Sequence, residues 1–551
     1  MKVIREKHPF LMRWTHWVNF PILTIMIWSG MLIYWANDVY SITLFGHTFV
    51  RFFPDWYYKL LKIPFRLSEG MAFHFLFMWF FALNGLLYVL YTVISGEWRG
   101  LVPQKRSFKD AWLVLLHDLH IRKTAPPQDK YNAAQRIAYT TIIVMGLGSL
   151  LTGLAIYKPV QFYWLCWLCG GYHFARILHF ALTLGYVLFF VIHVVQVVLA
   201  GWNNFRSVVS GFEVEEAPEA PQATGGDAGA APEVAGAISK ELAAIGGDAW
   251  VAPEAGSAIS EGSAAAPQAG AALEGAVAGS DADVAPEGPA ATSPEISPKN
   301  EPLIDQKIKR RNFISFTTFF VLGGAAFGGW KWLYDSPEEM PGITAGARKP
   351  LRQALNKTEL FFRRFFDNNH LVQTYPKSMA AAHVRVNSDI GMKDAAFKPE
   401  DWKLSVVKGP TDVLQVSIEE IKSLPKTEIV YDFKCVEGWD QIQHWAGVRF
   451  SDFVAHFKLD EPALKDYVGM ETPDGEYYIG LDRESALHPQ TLLAYELNDQ
   501  PIPLNHGAPL RLIIPVKYGI KNLKRIGTIT FSNRRPRDYW AQQGYDYYSG
   551  L

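Results

Sequence analysis

Four histidines and one cysteine carry the reactive chemistry of this chain. His16, His74, His179 and His193 lie inside long apolar runs, where an ionisable side chain is costly and marks a functional site. His179 and His193 are 14 residues apart. That is nearly four helical turns, so on one helix they share a face at a separation of roughly 21 Å. Such spacing suits two metal centres stacked across a membrane, with neutral imidazole as the ligand. In the other half of the chain Cys435 stands in "YDFKCVEGW" (431–439), far from Cys166 and Cys169. Three cysteines in 551 residues make no disulfide framework, which leaves Cys435 as inert core, a metal ligand or a nucleophile. Apart from His444 it has no histidine near it in sequence to act as a base, and no Cys-His-Asn arrangement can be placed.

Helices must position the histidines. Four apolar runs, roughly 14–35, 70–95, 135–157 and 172–200, each exceed the ~20 residues that cross a hydrocarbon core of ~30 Å. A fifth, roughly 313–333, follows much later. Lys2, Arg5, Lys7 and Arg13, the cations from Arg99 to Lys130, and Lys307, Lys309, Arg310 and Arg311 fall on one side if every run spans. That side is the cytoplasm by the positive-inside rule, and the chain beyond the fifth run lies outside. The alternating directions then pair His16 with His193 near the cytoplasmic face and His74 with His179 near the external face. Imidazoles on facing helices are suitable axial ligands for haem iron, and Gly146, Gly148, Gly153 and Gly185 allow close approach. With net charge −1 and no strongly basic domain, nucleic acid is not a partner.

At "RWTHW" (13–17) and "RILHF…VIHVV" (176–195) the chain resembles the four-helix, two-haem cytochrome b subunits of membrane formate dehydrogenases, nickel-iron hydrogenases and thiosulfate reductases. The resemblance covers roughly 8–205 and implies two haem b groups and electron exchange with quinone or quinol near the cytoplasmic haem. Cys166 and Cys169 form a single CxxC in the short outer loop, read as a surface disulfide or two buried thiols.

Residues ~213–300 are Ala, Gly, Pro, Ser and acidic residues, with "APEVAGAIS" (231–239) recurring imperfectly as "APEAGSAIS" (252–260). So little apolar surface predicts a disordered linker; a two-repeat solenoid is the alternative. "KIKRRNFISF" (307–316) resembles a twin-arginine export signal and equally reads as the basic anchor of the fifth helix. The expected division is 1–210 membrane domain, 211–306 linker, 307–335 fifth helix and 336–551 external domain.

In the external domain "LRLIIPV" (510–516) and "IGTITF" (526–531) read as strands, while 415–423 and 448–457 read as short helices. The sum is an α+β fold beside an all-α transmembrane bundle. Cys435 follows an apparent strand, "IVYDFK" (429–434), and precedes Gly438, so a sharp turn would present it toward a pocket.

"FFDNNHL" (365–371), "KCVEGWDQ" (434–441) and the block from Ala486 to Ile526 resemble the sulfite oxidase fold of molybdopterin enzymes, in order, across nearly all of 360–551. The resemblance implies Mo-molybdopterin, with Cys435 as the protein's thiolate ligand to molybdenum. It places Asn369 and His370 on the pterin and has Thr472, His506 and Arg511 hold the same ligand, with Asn522 and Lys524 completing the anion site beside Arg511. "CVEGW" is similar to the motif of periplasmic methionine sulfoxide reductase catalytic subunits, with Glu437 and Trp439 lining the mouth near the metal. An acid and an indole suit a neutral, partly apolar substrate better than a dianion. The expected protein is an inner-membrane oxidoreductase whose molybdopterin domain is periplasmic and whose linker is cytoplasmic. Electrons from quinol would reach a small-molecule S- or N-oxide, with a periplasmic electron carrier as a further partner. The alternatives are oxidation of a sulfur compound such as sulfite with electrons passed to quinone, and a non-catalytic docking domain.

Overall fold

The computed structural model describes residues 2–36, 40–44, 47–52, 56, 60, 66–118, 121–124, 131–216, 301–336, 348–365, 370–394 and 396–551. Most of the expected linker, 217–300, lies outside them. Four helices long and apolar enough to cross a membrane are described: α1 (Phe10–Tyr34), α2 (Leu67–Ile94), α3 (Ala133–Tyr157) and, after the six-residue α4 (Tyr163–Leu168), α5 (Tyr172–Leu199). A capping box starts α3: Gln135 N–H donates to the Asn132 side chain at 2.8 Å, and Asn132 N–H donates to Gln135 Oε1 at 3.0 Å. Val144, Leu147, Leu188 and Ile192 are exposed on these helices, as expected for surfaces that meet lipid. Inside the bundle, glycine permits close packing. A Cβ on Gly185 would stand 2.8 Å from Met145, and one on Gly148 would stand 3.3 Å from Leu182.

The fifth apolar run forms part of α6 (Glu301–Asp335). Phe313, Phe316, Phe320 and Phe327 are exposed on it, while Trp330 packs on Phe73 of α2 at 4.8 Å between ring centroids.

Beyond α7 (Lys349–Arg363) the outer domain is built from two sheets. Its strands are β1 (Leu404–Val407), β2 (Val413–Val416), β3 (Thr427–Lys434), β4 (Asp440–Arg449), β5 (Tyr467–Glu471), β6 (Tyr478–Asp482), β7 (Leu492–Leu497), β8 (Gln500–Pro501), β9 (Arg511–Ile513) and β10 (Thr528–Ser532). One sheet has the order β6-β5-β10-β1-β2, with β10 parallel to β1 and the other pairs antiparallel. The second has the order β8-β7-β4-β3, with β9 also on β7, and is antiparallel throughout.

The short helices are narrower than the sequence reading. Gln415 and Val416 belong to β2, and α8 (Ile418–Lys422) starts only after Ser417, whose hydroxyl accepts from Glu420 N–H. Val448 and Arg449 end β4 before α9 (Phe450–His456) begins. In both places strand pairing overrides helical patterning.

Leu404, Val406, Val448, Leu492, Leu512 and Ile529 from both sheets share one core, and Leu67 and Met71 at the start of α2 belong to it too. The outer domain is therefore seated on the helix ends. Lys158, which ends α3 and is fully buried, pairs with Glu359 of α7 and donates to the Gly550 carbonyl at 2.8 Å. Tyr518 Oη donates to the Ile156 carbonyl at 3.3 Å, and Tyr163 Oη to Gln373 Oε1 at 2.9 Å.

Candidate functional site

β3 and β4 pair with Lys434 opposite Asp440, so the five residues Cys435 to Trp439 form the hairpin loop. Cys435 N–H donates to the Trp439 carbonyl and Gly438 N–H to the Cys435 carbonyl, both at 2.9 Å. Gly438 has φ +92°, a left-handed conformation that a side chain would strain. The cysteine thus sits at the tip of a strand, held by its own turn. Phe433 stacks on Trp439 at 5.7 Å and 22°.

Cys435 is 3 % exposed. Burial, followed by the charge of Glu437, pushes its thiol up to about 12. Such a thiol is protonated at neutral pH and is a poor nucleophile; a bound metal cation would convert it to thiolate, because coordination deprotonates the sulfur outright. Asn387 Nδ2 lies 3.8 Å and Glu437 Oε2 3.9 Å from Sγ.

Cys435, His506, Arg511, Asn522 and Lys524 line one cleft that is continuous with solvent. Arg511 begins β9 and is buried. Its Nη1 donates to the His506 carbonyl at 3.0 Å and its Nη2 to the Asn522 carbonyl at 3.3 Å, while its Nε has no partner among the described residues. Its face rests on Trp445 at 4.5 Å. Among the described residues no carboxylate acts on its charge, and burial lowers its pKa to about 10. Lys524 Nζ donates to the carbonyls of Asn387 (2.6 Å) and Ser388 (2.8 Å). Burial and the nearby Arg511 lower it to about 7. A buried guanidinium with an orphaned donor, beside a second cation, lacks an anion. The phosphate of a pterin cofactor is a fitting occupant, and the soft sulfur of Cys435 fits its molybdenum.

Of the other expected residues, Trp439 lines the cleft and Glu437 lies behind it, accepting from Trp439 Nε1 at 3.0 Å. Thr472 and His370 are not among the residues that line this cleft. Thr472 Oγ1 accepts from Tyr477 N–H at 3.1 Å and so fixes Tyr477, which does line it. The His370 carbonyl lies 3.3 Å from His488 Nε2. Asn369 lies outside the described residues. Sequence reasoning missed Arg385, Asn387, Tyr477 and Trp540, all on the cleft wall. Arg385 stands over the Trp439 ring at 4.7 Å, and Tyr477 Oη donates to the Ile520 carbonyl at 2.6 Å and accepts from Trp540 Nε1. No local pattern flags them, because three separate segments bring them to Cys435: one carries Arg385 and Asn387, and two others carry Tyr477 and Trp540.

The membrane histidines form the expected pairs. His16 and His193 have ring centroids 6.0 Å apart, and His74 and His179 6.2 Å apart. Each pair is spaced so that one metal ion would be held between its two rings, the ligand chemistry that haem iron takes. The outer pair has matching supports. Ser29 Oγ gives its proton to the Ile25 carbonyl and stands 3.0 Å from His74 Nδ1; Thr152 Oγ1 gives its proton to the Gly148 carbonyl and stands 2.9 Å from His179 Nδ1. With their protons committed, both hydroxyls accept from Nδ1–H, which leaves each Nε2 lone pair for a metal. The following residue is glycine in both cases. A Cβ on Gly30 would lie 3.4 Å from His74 Cε1, and one on Gly153 3.3 Å from His179 Cε1.

Comparison with known proteins matches two separate stretches of the chain. The model of the prokaryotic cytochrome b561 family matches residues 7–211, and that of the oxidoreductase molybdopterin binding domain matches residues 391–540. "Putative protein-methionine-sulfoxide reductase subunit YedZ1" of Azospira oryzae is 34% identical over 186 residues, which are 34% of this chain and 70% of that protein. The protein-methionine-sulfoxide reductase catalytic subunit MsrP of Campylobacter jejuni is 30% identical over 28% of this chain and 58% of its own length. The subunit of the same name from Xanthomonas campestris is 36% identical over 26% and 49%. The chain thus spans about half the length of the catalytic subunits it matches. The crystal structure of the sulfane dehydrogenase SoxCD from Paracoccus pantotrophus aligns with a TM-score of 0.23 at 17% identity, over 30% of this chain and 45% of that one.

Proposed function

This chain belongs to the prokaryotic cytochrome b561 family through its membrane half and joins to it a molybdopterin-binding oxidoreductase domain, and from that premise we propose that it is a single-chain enzyme reducing S-oxides with electrons from quinol. The observation that carries the reading is the pairing, in one cleft, of a strand-tip cysteine with a buried arginine whose Nε is unpartnered among the described residues. The first is a thiolate ligand and the second an anion anchor.

When bound, Mo-molybdopterin supplies oxygen-atom transfer and haem b supplies one-electron steps. The chain supplies the rest. Cys435 would hold the metal, and Arg511, His506, Asn522 and Lys524 would hold the pterin's anionic end. Thr472 fixes Tyr477 in the wall, and we assign Asn369 and His370 to the same ligand. Two haems are assigned, one to His16 and His193 and one to His74 and His179, with quinol oxidised near the first. Glu437 orients the Trp439 indole through its hydrogen bond. Asn387 and Arg385 line the same cleft as Cys435, and both offer donors to a sulfoxide oxygen.

The balanced reaction is S-oxide plus two electrons and two protons to thioether plus water, with quinol as reductant. The relatives' names point to methionine sulfoxide in proteins, and an open cleft admits a side chain presented on a polypeptide. The basic flanks of the helices support an inner-membrane location with the molybdopterin domain on the periplasmic side. The test is to reduce the haems of the purified full chain with a quinol and add a methionine-sulfoxide peptide. Haem reoxidation with stoichiometric thioether is expected, together with two irons and one molybdenum per chain. Cys435→Ser should abolish this turnover with the haem spectrum unchanged. Haems that stay reduced with every S-oxide tried would refute the reading.

A further inference from the structure

The hairpin that carries Cys435 rests on the first turns of α5, the helix that carries His179. Both shoulders of the loop touch the same short stretch. Lys434, immediately before Cys435, places Nζ 5.2 Å from the centroid of the Tyr172 ring. Asp440, immediately after Trp439, lies 3.9 Å from Nη1 of Arg176. Arg176 itself sits over the Tyr172 ring at 5.8 Å and the Tyr40 ring at 6.0 Å. Its Nη2 would be 3.1 Å from a Cβ on Gly438, so the guanidinium occupies the space that glycine leaves open on the loop. From Arg176 to His179 is three residues, a rise of about 4.5 Å along the helix. One side chain therefore links the turn that presents the cysteine to the turn that presents an outer histidine.

The contact is part of a closed seam. Lys158 and Glu359 are buried as a pair, and the Tyr518 and Tyr163 hydroxyls bridge the two halves. Separating them would break this ion pair and the hydrogen bond from Lys158 to the Gly550 carbonyl. Arg176 suits such a place because its planar, weakly hydrated fork can lie against aromatic rings and the backbone of a glycine loop while pairing with an acid.

We infer that Arg176 is a positioning residue that clamps the Cys435 loop onto the outer histidine pair, so that electrons cross a seam which stays docked through turnover. The inference rests on the S-oxide reductase reading above. Arg176 breaks and makes no bond. The two electrons still come from quinol and still leave as thioether and water.

The experiment uses the full chain in lipid nanodiscs. Haems are reduced with a quinol, a methionine-sulfoxide peptide is mixed in, and reoxidation is followed in the haem absorption band. In parallel, turnover is driven by reduced viologen, a small dye that donates at the solvent-open cleft. Arg176→Gln should slow haem reoxidation about tenfold, leaving the haem spectrum, molybdenum content and viologen-driven turnover within about twofold of the parent. Arg176→Lys, which keeps charge without the fork, should fall between. Asp440→Asn, outside the bundle, should slow reoxidation in the same direction should the arginine variants lose haem. Reoxidation within about twofold of the parent in Arg176→Gln and Asp440→Asn overturns the inference. An equal fall of the quinol-driven and viologen-driven rates overturns it as well. If the parent haems are never reoxidised by an S-oxide, the reductase reading fails instead, and the two failures are separate.

Discussion

Thr152 Oγ1 stands 2.9 Å from Nδ1 of His179 and has its proton committed to the Gly148 carbonyl. It therefore accepts from the imidazole and raises its basicity, which stabilises the oxidised state of a metal on the opposite nitrogen. Thr152→Val keeps the shape and removes the acceptor. The midpoint potential of one haem should rise while the other is unmoved, as a redox titration of the haem band would record. Both potentials unchanged would mean that the hydroxyl does not tune His179.

Arg511 offers a second test. Arg511→Lys keeps the charge but loses the planar fork, and with it one charge-assisted hydrogen bond of about 1.5–3 kcal/mol. Pterin retained per chain after purification should fall by about tenfold or more in affinity terms, with haem content unchanged. Full pterin occupancy in this variant would remove Arg511 from the anion site.

His506 makes the cofactor-free protein acid-sensitive. Burial, and then the charges of Arg511 and Lys524, hold its imidazole at about 4 against an ordinary 6.5. The unfolded chain takes up a proton near 6.5 and the folded chain only near 4, so stability present above pH 6.5 is lost as the pH falls through that window. Thermal unfolding of cofactor-free full chain between pH 7 and pH 4.5 should show the loss, and His506→Gln should flatten it. An identical slope in the variant would assign the loss to other groups.

The buried Lys158–Glu359 pair tests the docking of the two halves. Lys158→Met leaves the Glu359 carboxylate uncompensated, with a cost of about 3–5 kcal/mol. The double change Lys158→Met with Glu359→Gln should recover most of that cost. Melting of the outer domain's tryptophan signal measures both. Equal destabilisation by the single and double changes would show that packing, rather than charge, carries the seam.

Much of this molecule is written locally. The four long apolar runs become helices because their length and apolar character demand a bilayer, and fixed helical pitch then puts His179 and His193 on one face. The alternating helix directions pair the histidines as His16 with His193 and His74 with His179, and the ring separations agree. The strand ending at Lys434 and the glycine at 438 likewise place Cys435 on a turn, since a hairpin loop is a short-range object. Tertiary structure decided what surrounds these groups. Arg385, Asn387 and Trp540 reach the cysteine from distant segments, and Thr472 acts behind the wall instead of on it. Arg176 meets Gly438 across nearly half the chain, and Lys158 finds Glu359 201 residues away. Such contacts follow from how two separately patterned domains pack, and periodicity and turn chemistry, which act over a few residues, carry no record of them.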